Sequence, residues 1–290
     1  ALMSNYIPVL QHPLFFGGLL AFAAGCALLV LRAMSAIPPV GMWVAGAGAL
    51  RFGLNAAAVS AALALIAFAW SFLLMPDFLS GRAYYELLFW GGGHVLQFTY
   101  TLLMLVAWLW LAGASGVAPR VTPRVALLLL ALGLVAVFAT PLIYYAHELT
   151  SAGHIKLFTW LMRYGGGLAT VPLSLALLPG LLAAPRAAPA ERPLRAALLA
   201  SMLLFGLGGI IGFLIEGSNV TITAHYHGSI VGVTLAFMGL TYYLLPRLGF
   251  GEPDRRWAHA QPWLYGGGQL LHVLGLVWSG GYGVQRKVAG

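Results

Sequence analysis

The chain has 290 residues, of which 61% are hydrophobic and only 8% charged, and its formal net charge is +8. Soluble domains carry about a quarter charged side chains, so this composition excludes an ordinary soluble globular protein. The surplus basic residues lie in short loops between apolar runs, the pattern that writes membrane topology, which excludes a nucleic-acid-binding reading of the charge.

Crossing a hydrocarbon core of roughly 30 Å takes about 20 apolar residues in a helix. Eight runs meet that need, in chain order Leu14–Leu31, Asn55–Met75, Leu87–Leu111, Val125–Tyr145, Ile155–Leu182, Leu194–Ile215, Ile222–Leu245 and Leu264–Ser279. The fold class expected is therefore all-α, a polytopic membrane helical bundle forming one transmembrane domain over residues 1–290. Val40–Gly53 is apolar but too short to cross alone, so it is an interfacial segment or an early start of the second span. Arg32, not a small-residue cleavage site, follows the first run, so that run reads as a span and not as a signal peptide. The single cysteine, Cys26, allows no disulfide within the chain. The sequence starts at Ala1 and stops at Gly290 just after a basic pair, and the expectation is the middle of a longer polypeptide.

The loops alternate in charge. One side carries Arg32 and Arg51, then Arg120 and Arg124, then Arg186, Arg192 and Arg195, then Arg247, Arg255 and Arg256; the other carries Asp77 with Arg82, Glu148 with Lys156, and Glu216. The positive-inside rule puts the Arg-rich loops in the cytoplasm and the N-terminus outside. Arg286 and Lys287 break the pattern, since the last span should end outside. They are a tolerated irregularity, or they face a fixed anion such as the carboxylates of a bound cofactor.

His225 and His227 open the seventh span. At about 100° per residue, positions two apart point to nearly opposite sides of a helix, so they suit two metal centres better than one. Imidazole is a common ligand for haem iron, and an intramembrane histidine is a functional hypothesis by default. The alternative is two interfacial histidines bonded to carbonyls or head groups. Gly228 and Gly232 would let another helix or a flat ring approach closely. His94 follows Gly91, Gly92 and Gly93 in the third span, where the glycines would make room for a cofactor, although a structural role fits a lone histidine equally. His147 and His154 read as solvated loop residues beside Glu148. His272 lies in the last span, and His12 and His259 flank spans. Arg163, about 12 Å along the fifth span, needs a partner or water.

These residues bear a family resemblance. The run FGLGGIIGFLIEGSNVTITAHYHGSIVGVTLAFMGLTYYLLPRL (Phe205–Leu248) resembles the ninth and tenth helices of subunit I of the haem-copper oxidase superfamily, which includes cytochrome c oxidases, quinol oxidases and nitric oxide reductases. GHIKLFTWL (Gly153–Leu161) is similar to the start of its eighth helix, FWGGGHVLQF (Phe89–Phe98) to its sixth, and GGYGVQRK (Gly280–Lys287) to the loop after its eleventh. The likeness runs from helix four to helix eleven of twelve and is nearest the cbb-type branch and the nitric oxide reductases. The family's in–out order agrees with the orientation derived from charge.

The resemblance implies two haems, expected to be of b type. By it, His225 would hold the high-spin, gas-binding haem iron and His227 the low-spin haem iron; Arg286 and Lys287 would bind propionates, and His94 would hold a second metal, copper or non-haem iron. It also implies a bacterial inner membrane with the haem side near the periplasm, and other respiratory subunits as partners, among them a cytochrome c-type donor. Two departures stand out. The paired histidines that complete the family's copper site are replaced by Leu142-Ile143, with His147 the nearest substitute, and Ala136 stands near the place of the branch's redox tyrosine. The helix bearing the other low-spin ligand is not in this chain. Three functions remain open: an oxidoreductase reducing O2 or NO, a copper-less homologue that relays electrons or binds a gas, and a cofactor-free transporter.

Overall fold

The computed structural model describes residues 2–3, 8–36 and 46–286. It is all-α apart from a two-residue pairing of β1 (Leu2–Met3) with β2 (Pro8–Val9). Ten α-helices follow among the described residues: α1 Pro13–Ala36, α2 Gly46–Leu73, α3 Gly81–Ala114, α4 Pro123–Val135, α5 Thr140–Ala146, α6 Ala152–Trp160, α7 Gly167–Ala183, α8 Arg192–Phe213, α9 Thr221–Leu244 and α10 Arg255–Gly281. A 3₁₀ turn (Ala136–Ala139) joins α4 to α5, and a π turn (Leu161–Gly165) joins α6 to α7.

Seven stretches among the described residues are long and apolar enough to cross a membrane: α1, α2, α3, Pro123–Ala146, Ala152–Ala183, α8 and α9. They match the first seven expected spans, with α2 absorbing the Gly46–Gly53 part of the ambiguous stretch; residues 40–45 lie outside the described residues. The eighth expected span falls inside α10, which starts nine residues earlier, at Arg255, capped by the Asp254 carboxylate accepting from the Arg256 and Trp257 amides at 3.0 Å. Its polar side chains, Gln261, Gln269 and His272 among them, keep α10 out of the apolar set. Large apolar residues such as Leu14, Leu182 and Trp278 stay exposed, as expected where lipid tails are the solvent. The protein is an all-α, polytopic helical membrane protein.

The chain forms two compact units. The first comprises residues 1–103 and 123–170. Here α2 presents a buried stripe of small residues, including Ala57, Ser60, Ala61, Ala64, Ala67 and Ser71, which lets helix backbones approach where lipid offers no hydrophobic drive for association. Val95 and Phe98 of α3, Ile143 and Tyr144 of α5 and Phe158 of α6 pack with Ala64 and Ala67 in one core. Gly91 and Gly92 serve this packing: a Cβ on Gly91 would meet the Tyr144 hydroxyl, and one on Gly92 would enter the Phe68 ring. The room the sequence suggested for a cofactor at these two glycines is taken by aromatic side chains.

The second unit comprises residues 104–122 and 171–290. Its centre is the α8–α9 seam. A Cβ on Gly228 would lie 2.7 Å from the Gly208 Cα, and one on Gly232 would lie 2.8 Å from the Phe205 amide nitrogen. The close approach at Gly228 and Gly232 is thus made by a helix. The seam is tied by the Ser201 hydroxyl, which donates to the Gly232 carbonyl at 2.6 Å and accepts from the Trp108 indole at 2.7 Å. The α8–α9 loop turns at Gly217, whose φ of +70° favours glycine.

Gly228→Ala and Gly206→Ala separate close packing from helix propensity. Alanine normally gains about 0.5–1 kcal/mol over glycine in a helix, and Gly206 has nothing within 4 Å of its added Cβ. Gly206→Ala should melt at or above the wild-type temperature in detergent. At Gly228 the backbone contact outweighs propensity, and a loss of about 1–3 kcal/mol from overpacking should appear as a lower thermal midpoint.

Candidate haem-binding site

In the second unit, α9 sends its two histidines toward different neighbours. The His225 imidazole turns to α8, where its Nδ1 lies 2.7 Å from the Gly208 carbonyl oxygen. A carbonyl can only accept, so Nδ1 carries the proton and Nε2 keeps its lone pair. The ring rests over Gly212, where an added Cβ would come within 2.8 Å of Nδ1. The His227 imidazole turns instead to α10: its Nδ1 lies 3.3 Å from Gln269 Oε1, and its ring meets that of His272 edge to face with centroids 4.5 Å apart.

Between them in sequence, Tyr226 carries the Arg286 guanidinium 5.3 Å from its ring centre. Arg286 is held there by a short return of the chain, in which the Val220 amide donates to the Val284 carbonyl and Asn219 pairs with Gln285. The expected basic residue Arg286 therefore stands at the same end of α9 as the two histidines. Lys287 lies outside the described residues.

In the first unit, His94 Nδ1 lies 2.7 Å from the Trp90 carbonyl oxygen, which again sets the tautomer so that Nε2 keeps its lone pair. The Trp90 ring lies tilted against the imidazole with centroids 4.7 Å apart, and Phe158 lies 6.4 Å away. Leu142 and Ile143, which the resemblance sets at the family's histidine pair, offer no donors: Leu142 is 68% exposed and Ile143 is buried in the core. Among the described residues, no group of three or more His, Cys, Asp and Glu side chains is placed to hold a metal ion.

His154 corrects the sequence reading. It is fully buried on α6, between Tyr144 and Phe158 with ring centroids 4.9 Å from each, and neither ring nitrogen has a hydrogen-bond partner among the described residues. His147 ends α5 and packs its ring on Gly153, beside a cavity of about 440 Å³ lined by Pro76, Tyr144, Glu148 and Thr150 among others. Reading the loop as solvated missed His154 because its burial comes from α5, which sequence spacing does not reveal. Tyr144 was also missed. It is buried, stacks on Trp70 at 4.8 Å and bonds to the Ser71 hydroxyl at 2.7 Å and the Ala67 carbonyl at 3.0 Å. Gln269 was missed as well, although an amide in a largely apolar run was a signal that could have found it. Arg163 sits in the π turn, exposed on the surface of its unit, and π turns gather at functional places.

The donor chemistry fits haem on α9. Ligating histidines almost always donate their second ring nitrogen to a carbonyl or carboxylate, which fixes the tautomer and the ring, and both His225 and His227 have an acceptor at Nδ1. The same test gives no support to a second metal at His94 held by three side chains, since no such group is placed together among the described residues.

A helical membrane protein with paired, diverging histidines on one span defines the class. The model of the family described as cytochrome c and quinol oxidase polypeptide I matches residues 1–290. The chain belongs to that family, the subunit I of the haem-copper oxidases, whose members bind haem. An uncharacterized protein of Rickettsia prowazekii (strain Madrid E) is 26% identical over 98% of this chain and 63% of its own length. An uncharacterized protein of Aquifex aeolicus (strain VF5) is 30% identical over 87% of this chain and 61% of its own length. The chain spans about three fifths of the length of these curated relatives.

Two substitutions test the packing read here. Tyr144→Phe removes both hydroxyl contacts and leaves the buried Ser71 hydroxyl without this partner, which should cost about 0.5–2 kcal/mol. His154→Leu removes a buried polar ring that forfeits no hydrogen bond, and should stay within about 1 kcal/mol of wild type. Thermal melts in detergent give the order: Tyr144→Phe lowest, His154→Leu near the parent.

Proposed function

We propose that the chain is the haem-binding membrane core of a respiratory oxidase-like complex, in which His227 holds a low-spin haem that takes up electrons and His225 holds a high-spin haem open to O2 or NO. The observation that carries this reading is the divergence of two imidazoles from one helix, one backed by a carbonyl of α8 and the other by the Gln269 amide of α10. Bound there, iron porphyrin supplies one-electron transfer and an open coordination position for a diatomic gas.

The protein's own residues do the rest. Gly208 and Gln269 hold the two imidazoles in the ligating tautomer. Gly212 leaves space for the His225 ring. Arg286, beside Tyr226, supplies a cation for a carboxylate at this end of α9, a role the sequence reading also gives to Lys287. The complex is proposed to lie in a bacterial inner membrane, haem side toward the periplasm, with a cytochrome c-type subunit as donor.

A second reading is favoured by the donor set around His94. With Leu142 and Ile143 in place of histidines, the protein is a homologue without the copper centre, relaying electrons or binding a gas at the His225 haem. It differs from the first reading only in turnover.

Haem content tests the proposal directly. The pyridine haemochrome of the purified complex should report two haems per chain, falling to one in His225→Ala with loss of the CO-induced shift. In His227→Ala it should fall to one with the CO shift retained. Retention of both haems in both variants would remove the assignment. Copper analysis with O2 and NO consumption decides between the two readings: copper below stoichiometry and negligible turnover belong to the second.

A further inference from the structure

Gln269 is an uncharged but strongly polar side chain inside the last apolar run, and a buried amide without partners is costly in hydrocarbon. Its Oε1 lies 3.3 Å from His227 Nδ1. His272, three residues further along α10 and so on the same face, sets its ring edge to face against that of His227 at 4.5 Å. Two polar side chains of α10 thus converge on a single imidazole of α9. The core beside them is apolar, formed by Ile211, Ala224 and Val273 with Leu207, Leu276 and Val277 packed against it.

We propose that Gln269 is a positioning residue for the His227 iron ligand, one that sets the tautomer, the ring orientation and the electron-donating strength of Nε2, with His272 buttressing the ring. The inference rests on the assignment of His227 to haem iron made above. With its amide oxygen turned to the ring, as it stands here, Gln269 accepts from Nδ1–H and leaves Nε2 as the ligating nitrogen. Accepting that hydrogen bond also draws the imidazole toward imidazolate character, which makes Nε2 a stronger donor and favours the ferric over the ferrous state. The polar residues that set α10 apart from the other spans thereby acquire a purpose: they tune one haem and not the other, because His225 takes its acceptor from the Gly208 backbone, which side-chain substitution on α10 leaves in place.

The test is spectroelectrochemical titration of the purified complex carrying Gln269→Met, Gln269→Glu and His272→Phe. Methionine keeps the length of the side chain and lacks the acceptor. It should weaken ferric stabilisation of the low-spin haem by roughly tenfold, a rise of about 59 mV for a one-electron couple, with the CO spectrum and potential of the high-spin haem unchanged. Glutamate presents an accepting oxygen in either protonation state, so its low-spin potential should lie at or below wild type. His272→Phe retains the ring contact and should stay near wild type. Both haems present with an unmoved low-spin potential in Gln269→Met overturns the positioning role alone. An equal shift of both haems in Gln269→Met also overturns it. A wild-type complex with no haem dependent on His227 overturns the underlying assignment, and the positioning role with it.

Discussion

An imidazole placed among lipid-facing helices must find its hydrogen-bond partner inside the protein, because the hydrocarbon around it offers none. That constraint organises the second unit. His225 is satisfied by a backbone carbonyl of α8, and a carbonyl in mid-helix is accessible to a neighbour only when the two helices nearly touch. The contact at Gly208, Gly228 and Gly232 provides that approach. The glycines of α8 and α9 are thus conditions for the orientation of a histidine as well as for the packing of two helices. The Ser201 hydroxyl bridging the Trp108 indole to the Gly232 carbonyl holds the same seam in register.

The spans were legible in the sequence because lipid demands uniform apolarity over a fixed length, a signal that survives every detail of packing. The breaks within them were not. Ala136–Ala139 tightens into a 3₁₀ turn and Leu161–Gly165 widens into a π turn, and nothing in the hydropathy of either stretch marks the change. The final span was misjudged in extent for a related reason: α10 turns part of its polar content toward α9, so its helix is longer and less apolar than a lipid-facing rod would be.

The candidate site was legible in part, and the division is physical. The divergence of His225 and His227 follows from helical geometry alone, so two positions in a sequence suffice to state it. Which groups back the two rings depends on α8 and α10, 17 and 42 residues away in sequence, and no local pattern encodes that. His154 shows the opposite failure. A histidine in the first turn after a polar loop resembles a solvated residue, yet α5 folds Tyr144 over it and α6 closes Phe158 beneath it. Likewise Gly91 and Gly92, which suggest an opening when read as missing side chains, are filled by the rings of Tyr144 and Phe68.

The outer end of α5 bears on the choice between catalysis and relay. If Leu142-Ile143 stands where the resemblance puts the family's histidine pair, two adjacent side chains there would both have to be ligands. Here Ile143 is committed to the core with Tyr144, whose hydroxyl ties α5 to α2 through Ser71 and Ala67, while Leu142 turns outward and stays exposed. Adjacent residues of a helix cannot both reach one centre without a backbone arrangement made for it, and this end of the helix is arranged for packing. Restoring histidines at 142 and 143 would place one ring on the surface and the other among Phe158, Val137 and Ala67. The commitment of Ile143 and Tyr144 to the core is therefore part of the local fold of α5. The partnered imidazoles of α9 lie in the other unit and keep their acceptors regardless. Of the histidines proposed to hold a metal, His225 and His227 have an oxygen at Nδ1 supplied by α8 and α10, and His94 has one supplied by its own helix at Trp90.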